Sequence, residues 1–248
     1  MMKQTVILST AALCLLVGGS TVATAQGQRG SQSATQQGKT LPHTTVSPTV
    51  QRQRVQQQQQ RATQYQQHLG KQLPVVQQQT VQLQQQRRNA QARVQQQYAT
   101  QLQQQQQQLA QQHARTSRSY SNDPYITAPP TYRYQVSGAS RETNQYGVNV
   151  LQRAVSYGYQ EGYDAGRADR SDRWASGYQN SPAYKDATYG YAGQYVDQGD
   201  YSYYFREGFQ HGYQDGYNNR SQYGSASNGT YSILGSVLSS ILGLQPIQ

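Results

Sequence analysis

Apolar residues recur every seven positions through the first half of the chain, at Val55, Ala62, Leu69, Val76, Leu83 and Ala90. Leu102 and Leu109 keep the spacing in a second phase, with Val94 and Tyr98 between. Seven residues return one position to the same helix stripe. The companion stripe of a coiled-coil seam is mostly polar: Tyr65, Gln72, Gln79 and Gln86. Half of residues 51–112 are glutamine, a good helix former. The pattern predicts long helices over roughly 50–72 and 75–115, with Pro74 breaking or kinking the chain near Leu73. A one-sided seam leaves two readings open: a coiled coil, or a partly helical low-complexity tract prone to β-aggregation.

The second half changes period. Residues 157–170 read YGYQEGYDAGRADR and residues 204–220 read YFREGFQHGYQDGYNNR. Glycines fall four apart in each, at Gly158, Gly162, Gly166 and at Gly208, Gly212, Gly216. Aromatic residues follow most of them, at Tyr159, Tyr163, Phe209, Tyr213 and Tyr217, with Phe205 one turn earlier. The two segments align at an offset of 46 or 50. A period of four is closer to a helix than to a strand. Three interior glycines cost a helix about 3 kcal/mol relative to alanine. Such helices persist only if something packs closely into the glycine groove. The expectation is an antiparallel pair over about 148–170 and 198–220, joined by residues 171–197, with the aromatics supplying buried area. Flexible Gly/Tyr low complexity is the alternative. At the C-terminus, Ile233, Leu234, Val237, Leu238, Ile241 and Leu242 form one helix face opposite Ser232, Gly235, Ser236, Ser239 and Ser240. This stretch is too short to span a membrane. Docking on the hairpin or self-association is favoured over contact of residues 231–244 with a membrane surface.

The N-terminus carries Lys3, then an apolar run through Val17, then small residues ending Ala23-Thr24-Ala25. That order predicts a secretory signal peptide cleaved after Ala25, hence export to the periplasm or the extracellular space of a bacterial envelope. Cleavage removes Cys14, the only cysteine. The organisation expected is a signal peptide (1–25), a disordered linker (26–50), a Gln-rich helical tract (51–115) and a Pro/Ser/Tyr linker (116–147). The Gly/Tyr hairpin (148–220), a second linker (221–230) and a short apolar helix (231–244) follow. The fold class is mostly α with extensive disorder: long Gln-rich helices plus a small Gly/Tyr-rich antiparallel helical hairpin. With two Phe, one Trp and 22 Tyr, the composition predicts small folded pieces and no large core.

Charge is segregated. All 11 acidic residues lie at or after Asp123, while residues 26–122 carry 11 Lys/Arg. Arg52, Arg54, Arg61, Lys71, Arg87, Arg88 and Arg93 are spread along the glutamine tract and are candidate contacts for a polyanion. Plain solvation explains them equally well. The acidic halves of sister molecules are another possible counterpart.

No HExxH, GxSxG or phosphate-binding loop is present in the sequence. His43, His68, His113 and His211 are read as solvated. Asp164, Asp169 and Asp172 interleave with Arg167, Arg170 and Arg173 and are read as local ion pairs on a helix surface. Glu161 and Glu207 are read as polar helix faces. These readings point away from an enzyme, a cofactor, a metal or a small-molecule substrate. Two functions fit: a structural or interaction protein of the envelope or extracellular matrix that self-associates, or a binding module for envelope polysaccharide or extracellular nucleic acid.

Residues 150–220 resemble a set of uncharacterised exported bacterial proteins with a C-terminal Gly/Tyr repeat. The matching positions are Gly162, Gly166, Arg167 and Asp169, then Phe205 to Phe209, Gly212, Tyr213, Gly216 and Tyr217. The resemblance covers under a third of the chain, excludes the glutamine tract and implies no reaction or ligand. A weaker similarity is to glycine-zipper envelope proteins, which place apolar residues between the glycines where this chain does not.

Overall fold

The computed structural model describes residues 47–116, 123, 126, 128–227 and 230–247. The expected signal peptide, with cleavage expected after Ala25, and nearly all of the expected 26–50 linker lie outside the described residues. The described part is mostly helical. Helix α1 (Pro48–Gln85) and α2 (Asn89–Thr116) carry the glutamine tract. A β-hairpin follows, β1 (Tyr132–Val136) and β2 (Ala139–Thr143), then α3 (Gln145–Ser171). A 3-10 turn at Tyr178–Asn180 and the short α4 (Pro182–Asp186) interrupt the connection to α5 (Gln198–Asn218). The chain closes with β3 (Gly224–Ser227), β4 (Thr230–Ile233), α6 (Gly235–Leu242) and β5 (Gln245–Pro246).

Helix α1 runs through Pro74 without a break. Pro74 is exposed, so the backbone group freed by its ring faces solvent. Leu69 and Val76 on either side are buried and hold the helix in register. The reversal comes instead at residues 86–88, where Arg87 adopts a left-handed backbone with φ 61°. Helices α1 and α2 then pack antiparallel, because Gln95 Nε2 donates to the Val76 carbonyl (2.9 Å) and Gln105 Nε2 to the Tyr65 hydroxyl (2.9 Å). The seven-residue stripe is the buried one, with Ala62, Leu69 and Val76 on α1. Its companion stripe is also buried, at Gln58 and Tyr65.

Helices α3 and α5 form the glycine-seamed pair, and they run parallel. A Cβ placed on Gly158, Gly162 or Gly166 would land on the carbonyl oxygens of Phe205, Phe209 and Tyr213 respectively. One placed on Gly208, Gly212 or Gly216 would land on those of Val155, Tyr159 and Tyr163. Both series climb together along the two helices, which corrects the antiparallel expectation. The physical reason lies in the connection. A 21-residue helix is about 30 Å long, and residues 172–197 can cover that several times over when extended. The loop therefore does not force a hairpin. Parallel packing gives each set of glycines equivalent neighbours on its partner, related by an offset of 50. It selects 50 over 46 as the true repeat.

The two linkers are also structured in part. Residues 132–143 form β1 and β2, paired from Tyr132↔Thr143 to Val136↔Ala139. Strand β5 adds to the other side of β1, giving the order β2-β1-β5. Strand β3 lies in the second linker and pairs with β4. Asn144 caps α3, its side chain accepting from the Tyr146 and Gly147 amides. Helix α6 docks inward: Leu242 is buried, Leu238 and Ile241 pack against the core, and Tyr204 donates to the Leu242 carbonyl.

The core is larger than composition predicts, and it is built from tyrosine. Tyr65, Tyr98, Tyr159, Tyr191, Tyr201, Tyr204 and Tyr213 are all fully buried, beside Phe205 and Phe209. A single cluster joins all of these except Tyr159 to Leu69 and Leu102 of the glutamine tract. Tyrosine supplies nearly the apolar area of phenylalanine, provided its hydroxyl finds a partner. Every one of these seven does.

Candidate interaction surface

The buried hydroxyls fall into two sets. Tyr65, Tyr191, Tyr201 and Tyr204 donate to backbone carbonyls, those of Thr188, Val196, Tyr189 and Gln135, at 2.6–2.9 Å. Tyr98, Tyr159 and Tyr213 donate to carboxylates: Asp186 at 2.6 Å, Asp215 at 2.8 Å and Asp169 at 2.6 Å. Tyr134, also buried, donates to Asp200 at 2.7 Å. Burial pushes these phenols above their usual range. They act as donors and as packing.

The hairpin aromatics belong to this interior. Phe205, Phe209, Tyr213 and Tyr217 stack along one side of α5 at centroid spacings of 6.4, 6.4 and 5.9 Å. Tyr163 stacks on Tyr231 at 3.7 Å, with Arg167 over both rings. Tyr217 is half-buried and donates to the Trp174 carbonyl at 3.0 Å. The six glycines and six aromatics therefore hold this chain's own helices together.

The segregated charges meet within one chain. Arg61 pairs with Asp197 at 2.7 Å, and His68 Nε2 lies 2.7 Å from Asp186. Arg88 pairs with Asp169 and sits 4.4 Å above the Trp174 ring. Arg54 donates to the carbonyls of Ile126 and Ala128. Three of the seven candidate polyanion contacts, Arg54, Arg61 and Arg88, are thus engaged internally, by the linker before β1, the connection after α3 and the end of α3 respectively. Arg52, Lys71, Arg87 and Arg93 remain on the exposed surface.

Several acidic residues and histidines differ from their sequence readings once the helices pack. Asp169 turns to Arg88 and Tyr213; burial outweighs both and holds its carboxyl above the usual range. Asp172 accepts the Ala90 and Gln91 amides at 2.9 Å each, capping α2, which has no acid in its own first turn. Asp164 keeps Arg167 as a charged neighbour, although burial raises its carboxyl. Glu161 is buried against Gln101 of α2, and burial pushes it up to about 8. Among the histidines, His68 is held by Asp186 and His211 by the Glu207 carbonyl at 2.8 Å. His43 lies outside the described residues.

Sequence reasoning missed the inward glutamines. Gln58 brackets the connection: its amide nitrogen donates to the Gly193 carbonyl and its oxygen accepts the Tyr195 amide. Gln105 donates to the Tyr191 carbonyl (2.6 Å) and accepts the Gly190 amide (3.0 Å). A glutamine amide both donates and accepts, so it can replace the backbone partner that an irregular loop lacks. The signal was the heptad: Gln58 stands seven before Tyr65, on the stripe read as merely polar. Gly193 lies close against Ala62 of α1, at a left-handed φ of 73° where only glycine fits easily.

The outward glutamines form the free surface. Gln56, Gln59, Gln60, Thr63, Gln64 and Gln67 are all exposed and line a shallow groove on the outer face of α1. The strip carries no charge and repeats amides at one-turn intervals. No helix among the described residues is long and apolar enough to cross a membrane. The described residues hold no cluster of three or more His, Cys, Asp or Glu suited to a metal ion. Comparison with protein-family profiles, curated proteins and solved structures finds no match to this chain.

Proposed function

We propose that this is an exported, non-catalytic interaction protein of the cell envelope or extracellular matrix, and that it self-associates through the outer face of its glutamine helices. The observation that carries this reading is the amide strip on α1. Amides are self-complementary, since each offers both donors and acceptors, so a second copy is a chemically matched partner. The glycine seam is occupied within the chain, and Leu238, Ile241 and Leu242 of the tail pack on its core, which favours the strip as the surface for assembly. The export half of the proposal rests on the order of residues 1–25.

The polyanion reading is the weaker one, because Arg54, Arg61 and Arg88 are already engaged. Sedimentation velocity over a concentration series tests the assembly. Oligomers that grow with concentration are expected, and Gln60→Lys with Gln64→Lys should disperse them by placing like charges across the contact. A strictly monomeric species at high concentration overturns the proposal.

A further inference from the structure

The interface between α2 and α3 holds an acid without a base. Glu161 of α3 is only 6% exposed and is hydrogen-bonded to Gln101 of α2. The other ionisable groups that act on it are Asp164 on its own helix, Tyr98 on α2 and Tyr189 of the connection. None of these is a cation. Burial disfavours a charge there and Asp164 repels one, so the carboxyl is pushed up to about 8.

The amide opposite is only half satisfied. Gln101 Oε1 is shut off from solvent and has no donor among the described residues. Neither water nor a ligand can reach it, so only a neighbouring side chain can supply the missing hydrogen. Such buried, unmet acceptors are costly and rare. An ionised glutamate cannot help, because both of its oxygens only accept. The neutral acid carries one O–H. In that form the pair closes on itself: the acid O–H donates to the amide oxygen, and the amide N–H donates to the acid carbonyl. The ionised form uses the amide nitrogen alone and sets a negative charge beside the bare Oε1. The orphan acceptor and the acid without a cation thus explain each other.

We infer that Glu161 and Gln101 form a neutral acid–amide latch that closes α2 onto α3, and that release of its one proton to solvent opens it. The start of α2 stays tied to α3. Asp172 accepts the Ala90 and Gln91 amides, and Asp169 holds Arg88 just before the helix. Opening therefore swings α2 outward from that end. The closed state binds the proton more tightly than the open one, so acid closes the latch. Between 4.5 and about 8 each pH unit shifts the balance about tenfold toward the open state, and above 8 it shifts no further. The device is independent of the amide strip, which lies on α1.

Gln104 of α2 and Arg153 of α3 are exposed and flank one cleft across this interface. Spin labels on Gln104→Cys and Arg153→Cys, in a chain that also carries Cys14→Ser, report their separation by pulsed electron resonance. A single short distance at pH 5 is expected to give way to a longer, broader one through pH 7–9, with helical circular dichroism retained. Glu161→Gln keeps an N–H for Gln101 Oε1 and has no proton to lose, so its distance should stay short throughout. In the wild-type protein the infrared band of a protonated carboxyl should titrate away over the same range, a readout that needs no variant at Glu161. A distance that ignores pH, one that widens equally in Glu161→Gln, or a wild-type protein without that band at pH 6 overturns the inference. So does widening accompanied by loss of helix, which is unfolding and not the opening of a latch.

Discussion

The molecule contains two helix pairs that lack ordinary hydrophobic residues, and they solve the shortage in opposite ways. In α1 and α2 the sparse apolar stripe is completed by long polar side chains, with Gln58, Gln95 and Gln105 reaching across to backbone groups. In α3 and α5 the side chain is removed altogether, and six glycines let the backbones meet. The first pair is antiparallel, joined by a turn of three residues at 86–88; the second is parallel, joined by residues 172–197. Amide contacts are adjustable, because a glutamine side chain has three rotatable bonds. Backbone contact is not. The difference predicts that the glutamine pair tolerates substitution where the glycine pair does not.

At fixed pH, the largest effect of a single substitution is expected at the seam. Gly212→Ala places a methyl group on the Tyr159 backbone, which cannot move without breaking its own helix. A loss of about 3 kcal/mol or more is expected in chemical denaturation. Gly70→Ala is the matched control on α1, where the nearest atom to a new Cβ is the end of Gln106 at 3.8 Å. There the ordinary helix preference should govern, with a gain of about 0.5–1 kcal/mol. Equal losses at the two positions would break the comparison.

The next effect lies where the pairs touch. Glu161 has its folded pKa raised from 4.5 to about 8 by burial. Between those values the unfolded chain releases a proton that the folded chain retains. Stability therefore falls as pH rises, by up to about 1.4 kcal/mol per pH unit, and levels off above pH 8. Burial raises Asp164, Asp169 and Asp200 in the same direction. Glu161→Gln should flatten the fall in thermal midpoint between pH 5 and pH 8 while leaving the value near pH 4 unchanged. An unaltered pH profile would place Glu161 in contact with solvent.

The smallest of the three concerns one glutamine. Gln105→Ala removes contacts to Tyr65, Gly190 and Tyr191 and should cost about 2 kcal/mol. Gln104→Ala, on the exposed side, should change stability by less than about 0.5 kcal/mol. Identical values for the two variants would mean that the inward amides do not hold the connection.

Much of the fold was legible in single residues. The heptad positions Ala62, Leu69 and Val76 marked a buried stripe of α1, with Val55 half-buried at its start, because helix geometry converts spacing directly into a face. The four-residue glycine period marked a close-packed seam for the same reason, and Leu238, Ile241 and Leu242 of the tail docked on the core, although the helix expected over 231–244 spans only Gly235–Leu242, Ile233 lies in β4 and Leu234 is exposed. Pro74 misled, because its cost depends on whether the freed backbone group is wet or buried. Charge segregation was visible as well, but its consequence was not. Arg61, His68 and Arg88 look like free cations in a list, and become partners of Asp197, Asp186 and Asp169 only once the connection and the end of α3 lie across them.

By itself the sequence determined that the glutamine tract and the glycine repeats are helical, which apolar stripe of the first is buried and where glycine admits another backbone, because these follow from local spacing within one element. Only the tertiary structure decided the direction of the glycine pair, the partners of the tyrosine hydroxyls and the inward role of particular glutamines. Those depend on the return path of a long connection, and no periodicity encodes it. A repeat of four reads the same in both directions, so the choice between parallel and antiparallel rests on contacts that join residues some 50 positions apart.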